Sequence, residues 1–329
     1  KETSMNFSPW RVCAAPMMDW TDRHCRFFHR LLSRHTLLYT EMVTTGAIRH
    51  GSVERHLRFN AEEHPVALQL GGSEAGDLAY AAKLGEQWGY NEINLNCGCP
   101  SDRVQRGAFG ACLMNEPQLV ADGVKAMVDV VSVPVTVKHR IGIDQIESYD
   151  FVRDFVGTVS DAGCKVFIVH ARNAWLQGLS PKENREIPPL RYDWVFRLKQ
   201  ERPNLRIVLN GGLAEIDACL QALPRVDGVM IGRAAYQDPY RLHRMHAAVF
   251  GSPELEREQL LLAMQDYVTA QCAKGVALKH ISKCLLGLFH GQPGGRLFRQ
   301  VLSQEAPLPG AGWPVIAKAL DATRFREAS

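Results

Sequence analysis

Hydrophobic and polar residues follow two different patterns along this chain. Up to about Tyr240, short β-rich runs alternate with segments of helical periodicity. The predicted strands are Arg11–Met17, Leu37–Met42, Val66–Leu70, Glu92–Asn96, Val135–Arg140, Val166–Ala171, Arg206–Gly212 and Gly228–Arg233. The predicted helices between them are Ser73–Trp88, Pro117–Val131, Tyr149–Ala162, Asp193–Arg202 and Ala214–Leu223. Eight strands with helical crossovers, in roughly the 250 residues usual for that fold, predict an α/β chain with a (β/α)8 TIM barrel.

Beyond Tyr240 only helical periodicity remains. Glycine and proline breaks separate four predicted helices, which are Glu254–Lys274, Ala277–Leu288, Gly295–Ser303 and Trp313–Ala322. We therefore predict a barrel domain over residues 1–245 and a C-terminal all-helical domain over residues 246–329. A doubly wound sheet is the competing architecture, but the dinucleotide glycine fingerprint is missing after the first predicted strand.

Composition excludes several classes of protein. No apolar run approaches the roughly 18 residues of a membrane span, and the N-terminus lacks a signal-peptide pattern. The nine cysteines include no C-x-x-C pair, which argues against a disulfide framework and a zinc ribbon. We expect a cytoplasmic monomer without a metal. The net charge of +3 is too small to indicate nucleic-acid binding by itself.

The segment Asn94–Pro100, followed by Gly107–Gly110, is the most distinctive in the chain. Apolar Ile93 and Leu95 alternate with asparagines, a half-buried pattern, and the segment is interpreted as a buried strand that ends abruptly before Cys99. Glycine permits a sharp turn there and Pro100 stops further strand pairing. Most free cysteines simply pack in the core, and we expect this of Cys13, Cys25, Cys164, Cys219 and Cys284. Cys99 instead lies in a polar, glycine-flanked strand end, where chemistry is presented to a ligand.

Catalytic groups of such barrels come from the C-terminal ends of the strands. The residues at the first six predicted strand ends include Pro16, Met17, Met18, Glu41, Gln69, Asn96, Cys99, Lys138, Arg140 and His170. The last two strands end in Asn210-Gly211-Gly212 and Gly232-Arg233. Loops after these two strands commonly bind phosphate, since glycines let backbone amides approach it and arginine adds a bidentate partner. An ordinary turn is the alternative interpretation of the paired glycines.

Three further side chains extend this phosphate site to a flavin site. The Gln69 amide can pair with the imide edge of a flavin ring, and Lys138 can stabilise negative charge on the reduced ring. A solitary inward-facing lysine is costly to bury without such a partner. His170 alone would more often be a structural histidine, but it lies beside the predicted phosphate site. The combination predicts flavin mononucleotide (FMN) as cofactor.

Six motifs in matching order resemble the tRNA-dihydrouridine synthases. They are Ala15–Asp22, Gln69-Leu70, Asn94–Gly110, Val137–Gly142, Asn210–Gly212 and Ile231–Arg233, and the resemblance runs from about Arg11 to Arg299. Leu38–Ala47 and Gly178–Leu190 further resemble the bacterial A-type subgroup, which implies uridines 20 and 20a of the tRNA D-loop as substrates. Cys97 and His139 depart from the residues usual for the family, and Cys97 adds a second thiol near the site.

The resemblance implies a reaction in which NADPH reduces FMN, hydride passes to C6 of the uracil, and Cys99 protonates C5. A cysteine thiol is mostly protonated at neutral pH, which suits a general acid. Asn96 is expected to hydrogen-bond the base. The rival interpretation is a free-pyrimidine flavoenzyme of the dihydroorotate or dihydropyrimidine dehydrogenase kind. A non-catalytic RNA-binding module is a second alternative, opposed by the flavin and thiol residues.

Basic residues indicate where RNA would lie. Lys182 and Arg185 belong to the long segment after the sixth predicted strand. No acidic residue occurs between Asp266 and Glu305, a stretch that includes Arg296 and Arg299. An unbalanced basic stretch favours a phosphate-facing surface over a solvated helix face. We therefore expect the helical domain to bind tRNA.

Overall fold

Eight parallel strands form the main sheet of the structure, a computed structural model that describes residues 7–324. In chain order they are β1 (Val12–Ala14), β2 (Leu38–Thr44), β3 (Val66–Gly71), β4 (Glu92–Cys97), β5 (Val135–His139), β6 (Val166–His170), β7 (Arg206–Asn210) and β8 (Gly228–Ile231). They pair in the order β1-β8-β7-β6-β5-β4-β3-β2. A parallel bridge between Cys13 and Leu37 joins the two outer strands. The predicted (β/α)8 barrel is confirmed.

Helices connect the strands as the periodicity predicted. The helices of the barrel unit are Thr45–His50, Val53–Leu57, Ala75–Trp88, Asp102–Arg106, Pro117–Val128, Tyr149–Asp161, Tyr192–Glu201 and Ile216–Ala222. A two-stranded hairpin, Gly142–Ile143 with Ile146–Glu147, follows β5. The sequence pattern missed this hairpin and the short helices after β2 and β4, because they are too short to show a periodicity.

The barrel interior has an apolar part and a polar part. Its apolar cluster contains Cys13, Ala15, Leu37, Tyr39, Ala67, Ile168, Val208 and Met230. Its polar part contains the buried residues Gln69 of β3, Glu92 and Asn94 of β4, and Thr136 of β5. Buried polar groups are tolerated when they hydrogen-bond to one another, as these do. β4 is buried along both faces, so the segment around Asn94 is the buried strand that was expected, although its alternating pattern is usual for a half-buried one.

The remaining helices form a second compact unit. It consists of Asp19–His35 and the chain from Arg233 onward, whereas the barrel unit takes the chain up to Met18 and Thr36–Gly232. The helices of the second unit are Arg23–Leu32, Arg233–Gln237, Tyr240–Phe250, Arg257–Leu262, Gln265–Ala273, Leu278–Ser282, Gly295–Glu305 and Trp313–Arg324. This unit starts before the predicted boundary at residue 245 and recruits a segment between β1 and β2. Among the described residues, no helix is long and apolar enough to cross a membrane.

The second unit has its own apolar core. Phe28 and Leu32 of the helix Arg23–Leu32 pack there with Leu261, Leu285 and Phe298, all almost fully buried. Asp22 caps the Arg23–Leu32 helix by accepting hydrogen bonds from the backbone amides of His24 and Cys25. Glu254–Lys274 was predicted as one helix but is interrupted at Ala263 and Met264. The segment Ala277–Leu288 likewise contains two short helical pieces.

Candidate active site

Cys99 follows β4 in a short loop, residues 98–101, which we call the Cys99 loop. The Asn96 side-chain oxygen accepts hydrogen bonds from the backbone amides of Gly98 and Cys99, each at 3.0 Å. The Cys99 carbonyl accepts one from the Ala111 amide at 2.9 Å. The thiol is partly exposed and its Sγ lies 3.5 Å from Ser101 Oγ. A fixed backbone thus presents an accessible thiol at the C-terminal end of the barrel.

Gly110 explains why the segment Gly107–Gly110 accompanies Asn94–Pro100 in the sequence. Its φ is 76°, a left-handed conformation that side chains rarely adopt. A Cβ at this position would lie 2.6 Å from the Cys99 carbonyl oxygen and 2.4 Å from Val104 Cγ1. Only glycine therefore allows the two segments to approach this closely.

A cluster of basic side chains lies beside the Cys99 loop. Burial, with the charge of Arg140 second, lowers the pKa of Lys138 to about 8. Burial also lowers the pKa of Arg140 to about 9, so the guanidinium remains charged at neutral pH. His170 is buried and next to both cations, and its pKa lies well below the usual value, which makes it a neutral imidazole. Such a cluster of positive charge is suited to an anionic group.

Arg140 ties three loops together. Its Nε donates to the Gly98 carbonyl at 3.0 Å, and one terminal nitrogen donates to the carbonyls of Asn173 (3.2 Å) and Asn184 (2.8 Å). The Asn184 side chain in turn holds Trp175, accepting from its amide and donating to its carbonyl. The sequence placed Arg140 at a strand end without assigning it a role. Its alternation with Lys138 along the end of β5 was the available signal.

The glycine loop after β7 shows a close backbone approach, whereas Gly232 after β8 does not, since a Cβ there would have its nearest neighbour, Ala15 Cβ, at 3.9 Å. Gly211 and Gly212 have φ of 108° and 66°. A Cβ on Gly211 would lie 2.6 Å from His170 Cδ2, so the loop backbone passes directly against the imidazole. Asn210 donates its side-chain amide to the Met230 carbonyl at 3.0 Å and links the ends of β7 and β8. Gly232 ends the barrel unit, and Arg233 opens the next helix. Within the barrel unit, glycine backbone, a neutral imidazole and nearby cations fit a phosphorylated flavin.

Gln69 and Asn96 lie together at the ends of β3 and β4. The Asn96 side-chain nitrogen donates to the Gln69 oxygen at 3.0 Å, and the Gln69 nitrogen donates to Asn94 at 2.8 Å. The Asn96 oxygen is engaged by the Cys99 loop, so at most a second N–H of its amide is left for a substrate. Asn96 therefore shapes the loop as well as lining the site.

The second thiol expected near the site is not available for chemistry. Cys97 is fully buried, and burial raises the pKa of its thiol well above the usual value. Cys97 is the residue directly after Asn96 on β4. Because successive side chains of a strand point to opposite faces and Asn96 faces the barrel interior, Cys97 faces away from it. Cys97 is therefore near the site in sequence, as expected, but does not present its thiol to it. Cys13, Cys25, Cys164, Cys219 and Cys284 are buried, as predicted.

The other predicted site residues lie in three places. Pro16 and Met17 are partly buried after β1, whereas Met18 is 55% exposed. Lys182 and Arg185 are exposed in the loop between β6 and β7, and the Arg185 charge contributes to the low pKa of Lys138 and His170.

Arg296 and Arg299 are exposed on the helix Gly295–Glu305 of the second unit. Lys283, in the same acid-free stretch, instead pairs with the Asp22 carboxylate at 2.9 Å. The stretch between Asp266 and Glu305 has no acidic residue in its sequence, but in the structure Asp22 lies next to it.

Comparison with known proteins agrees with this geometry. A 2-naphthoyl-CoA reductase has a TM-score of 0.55 and 14% identity over 74% of this chain and 50% of its own. An old yellow enzyme homologue from Zymomonas mobilis has a TM-score of 0.52 and 13% identity over 75% and 90%. At such identity only the fold is shared. The fold and the site at its strand ends define a (β/α)8-barrel enzyme.

The family model described as "Dihydrouridine synthase (Dus)" matches residues 13–319. A tRNA-dihydrouridine(20/20a) synthase from Xanthomonas campestris pv. campestris is 60% identical over 95% of this chain and 93% of its own length. Relatives with the same name from Vibrio parahaemolyticus and Pseudomonas aeruginosa are 57% and 58% identical over 94% and 89% of this chain, and 96% and 89% of their own. The chain belongs to the dihydrouridine synthase family, and the resemblance noted in the sequence is confirmed.

Proposed function

We propose that this enzyme reduces the C5–C6 double bond of uridines 20 and 20a in the tRNA D-loop, giving 5,6-dihydrouridine. The observation that carries the proposal is that partly exposed Cys99 lies beside the basic cluster of Lys138 and Arg140, with Arg140 hydrogen-bonded to the Gly98 carbonyl of the Cys99 loop. The names of the 57–60% identical relatives support tRNA as the substrate. The fold supports a strand-end site but does not by itself favour tRNA over a free base.

The cofactors in this proposal are FMN and NADPH. Bound FMN, once reduced by NADPH, would supply the hydride that C6 of the uracil accepts. Residues suited to hold its phosphate are Asn210, Gly211, Gly212, Gly232, Arg233 and His170. Those suited to its ring are Pro16, Met17, Met18, Gln69 and Lys138. The neutral imidazole of His170 can donate a hydrogen bond to phosphate, and Lys138 offers a positive charge at neutral pH.

The remaining chemistry belongs to the Cys99 loop. Cys99 transfers its thiol proton to C5, so the uracil gains one hydride and one proton and the thiol is left as a thiolate that solvent reprotonates. The hydrogen bonds from the loop amides to Asn96 fix the position of the thiol during this transfer. A base inside a folded tRNA must leave its stack to reach the thiol, which requires protein contacts around the pocket. We assign these contacts to Lys182 and Arg185, and additional tRNA contacts to Arg296 and Arg299.

The test uses the purified enzyme, NADPH and an unmodified tRNA transcript. Mass spectrometry of nuclease fragments should find dihydrouridine at positions 20 and 20a, and none in transcripts with cytidine at both positions. Free uracil and orotate, supplied at the same concentration, should not be reduced. Reduction of a free pyrimidine without tRNA would contradict the proposal and favour the free-base enzyme. A yellow, flavin-containing protein that modifies neither substrate would also contradict it.

A further inference from the structure

A chain of hydrogen-bonded polar side chains inside the barrel, which we call the polar row, consists of Glu92, Thr136, Asn94, Gln69 and Asn96. One end of the polar row is a buried carboxylate. Glu92, at the N-terminal end of β4, is only 2% exposed. It accepts hydrogen bonds from Trp10 Nε1 at 2.5 Å, from the Tyr39 hydroxyl at 2.6 Å and from the Thr136 hydroxyl at 2.9 Å. Tyr39 and Thr136 are almost completely buried as well. Three donors therefore converge on one side chain at the end of the barrel opposite to the active site.

From Thr136 the row continues to the Cys99 loop without a break. The Asn94 nitrogen donates to the Thr136 hydroxyl at 2.8 Å, the Gln69 nitrogen to the Asn94 oxygen at 2.8 Å, and the Asn96 nitrogen to the Gln69 oxygen at 3.0 Å. The Asn96 oxygen then accepts from the two backbone amides of the loop. Asn94 and Gln69 are 0% and 1% exposed, so water has little access to these links.

Every hydrogen bond in this row points in the same direction. Burial raises the pKa of Glu92, and the hydrogen bonds from Tyr39, Trp10 and Thr136 oppose this by stabilising the ionised form. A carboxylate that accepts all three donors offers no proton of its own, so the single hydroxyl proton of Thr136 is used on Glu92 and the Thr136 oxygen accepts from Asn94. Asn94 must then present its oxygen to Gln69, and Gln69 must present its oxygen to Asn96. The orientation of each amide is fixed by the one before it. The last oxygen in the row consequently faces the loop amides.

We propose that Glu92 is a positioning residue for Cys99, acting through this directional row of hydrogen bonds. The proposal rests on the proposed function only in giving Cys99 its catalytic role; the ordering of the loop stands without it. Thr136, Asn94, Gln69 and Asn96 are the links. Cys99 and Glu92 do not touch, but reversing the row at one end would reverse it at the other.

Glu92→Gln tests the direction with almost no change in size. Trp10 can only donate, whereas the Tyr39 and Thr136 hydroxyls on the other carboxylate oxygen can also accept, so the new amide is expected to turn its oxygen to Trp10 and its nitrogen to Tyr39 and Thr136. Thr136 then accepts from that nitrogen and donates to Asn94, and each following amide reverses. Asn96 would finally present N–H groups to the loop amides, where no hydrogen bond can form. The loop should lose both of its hydrogen bonds to Asn96, and amide hydrogen exchange at residues 98–99 should become roughly tenfold faster or more.

Tyr39→Phe is the matched control, because it also removes a buried hydrogen bond to Glu92 but leaves the row intact. Exchange at residues 98–99 should remain within about twofold of the parent, with the helix Pro117–Val128 as internal reference. Thr136→Val, which interrupts the row and leaves Glu92 in place, should loosen the loop as Glu92→Gln does and serves if that variant fails to fold. Unchanged loop exchange in folded Glu92→Gln or Thr136→Val protein, or equal acceleration in Tyr39→Phe, would overturn the proposal. Exchange is measured without tRNA, so a failure of the proposed activity would be seen separately.

Discussion

At the scale of single residues, the two thiols at the end of β4 make the clearest contrast. Cys99 is partly exposed, and Cys97 is fully buried two positions earlier. We expect Cys99→Ala to retain flavin and NADPH oxidation but to lose uridine reduction, because only the proton donor is missing. Cys97→Ala should retain both activities and lose about 1 kcal/mol of stability through a small cavity. Both variants are assayed for NADPH oxidation and for dihydrouridine in a tRNA transcript; reversed phenotypes would show that the wrong thiol was chosen.

Lys138 gives the site a specific pH dependence. Its pKa of about 8 means that the side chain is charged at neutral pH and largely neutral by pH 9. A bound anion raises this pKa, so FMN affinity should fall as pH rises above about 8, with a slope of up to tenfold per pH unit. Fluorescence titration of FMN from pH 7 to 9 measures the effect. Lys138→Met, which cannot titrate, should bind FMN more weakly at pH 7 and lose this part of the slope. The same slope in both proteins would assign the titration to another group.

Sequence reasoning could nominate candidate site residues because residue type and position at a strand end carry much of the information. Cys99, Lys138 and the glycines at the ends of β7 and β8 were nominated in this way, and their roles stay predictions. The burial of Cys97 could not be predicted from the sequence, because whether a residue faces the barrel interior depends on where the strand begins its alternation. The hydrogen bonds between the Asn96 side chain and the loop amides could not be predicted either, because a side-chain hydrogen bond to a turn depends on the geometry of that turn.

At the scale of elements, the eight strands were predictable because their apolar runs are bounded by turn residues. The alternating pattern of β4 does not make it a half-buried strand, and the reason is physical. Polar residues at alternate positions usually face water, but Glu92, Asn94 and Asn96 instead hydrogen-bond to partners on β2, β3 and β5. Such partners lie tens of residues away in sequence, so the strand pattern alone cannot reveal them.

The close approach of Gly110 to the Cys99 loop provides a test at this scale. We expect Gly110→Ala to lose about 1–3 kcal/mol of stability, because alanine is strained at this φ and its Cβ would meet the Cys99 carbonyl. Displacement of the loop should also slow uridine reduction more than flavin reduction by NADPH. Thermal unfolding and the two rates measure these effects.

The control for Gly110→Ala is Gly76→Ala, which lies in the helix Ala75–Trp88 where a Cβ would meet nothing within 4 Å. This substitution should be neutral or slightly stabilising. If Gly110→Ala behaved in the same way, the close approach to Cys99 would have no energetic importance.

At the scale of the whole molecule, the periodicity predicted a helical C-terminal region but not the unit to which every segment belongs. Asp19–His35 lies between two barrel strands in sequence, yet its helix joins the apolar core of the second unit. Its amphipathic pattern indicates a buried face without indicating which core buries it. The spatial pairing of Lys283 with Asp22 was hidden for the same reason.

The last prediction concerns the exposed arginines of the second unit. Arg296 and Arg299 are three residues apart on one helix and share a face. We expect Arg296→Ala with Arg299→Ala to weaken tRNA binding and to make its salt dependence shallower. By analogy with DNA, the log–log slope should fall by roughly 0.7–0.9 for each phosphate that the protein no longer neutralises. Binding is measured by filter retention across a salt series, and NADPH-driven flavin reduction should be unchanged.

The matched control removes the same charge elsewhere. Arg55→Ala with Lys83→Ala deletes two exposed cations from helices of the barrel unit. If overall charge alone attracted tRNA, both double variants would lose affinity equally, because long-range attraction depends on net charge more than on position. If the second unit is the tRNA platform, only the Arg296 and Arg299 variant should change the slope. Unchanged affinity of that variant at every salt concentration would reject the platform and leave Lys182 and Arg185 at the barrel end as the main basic contacts.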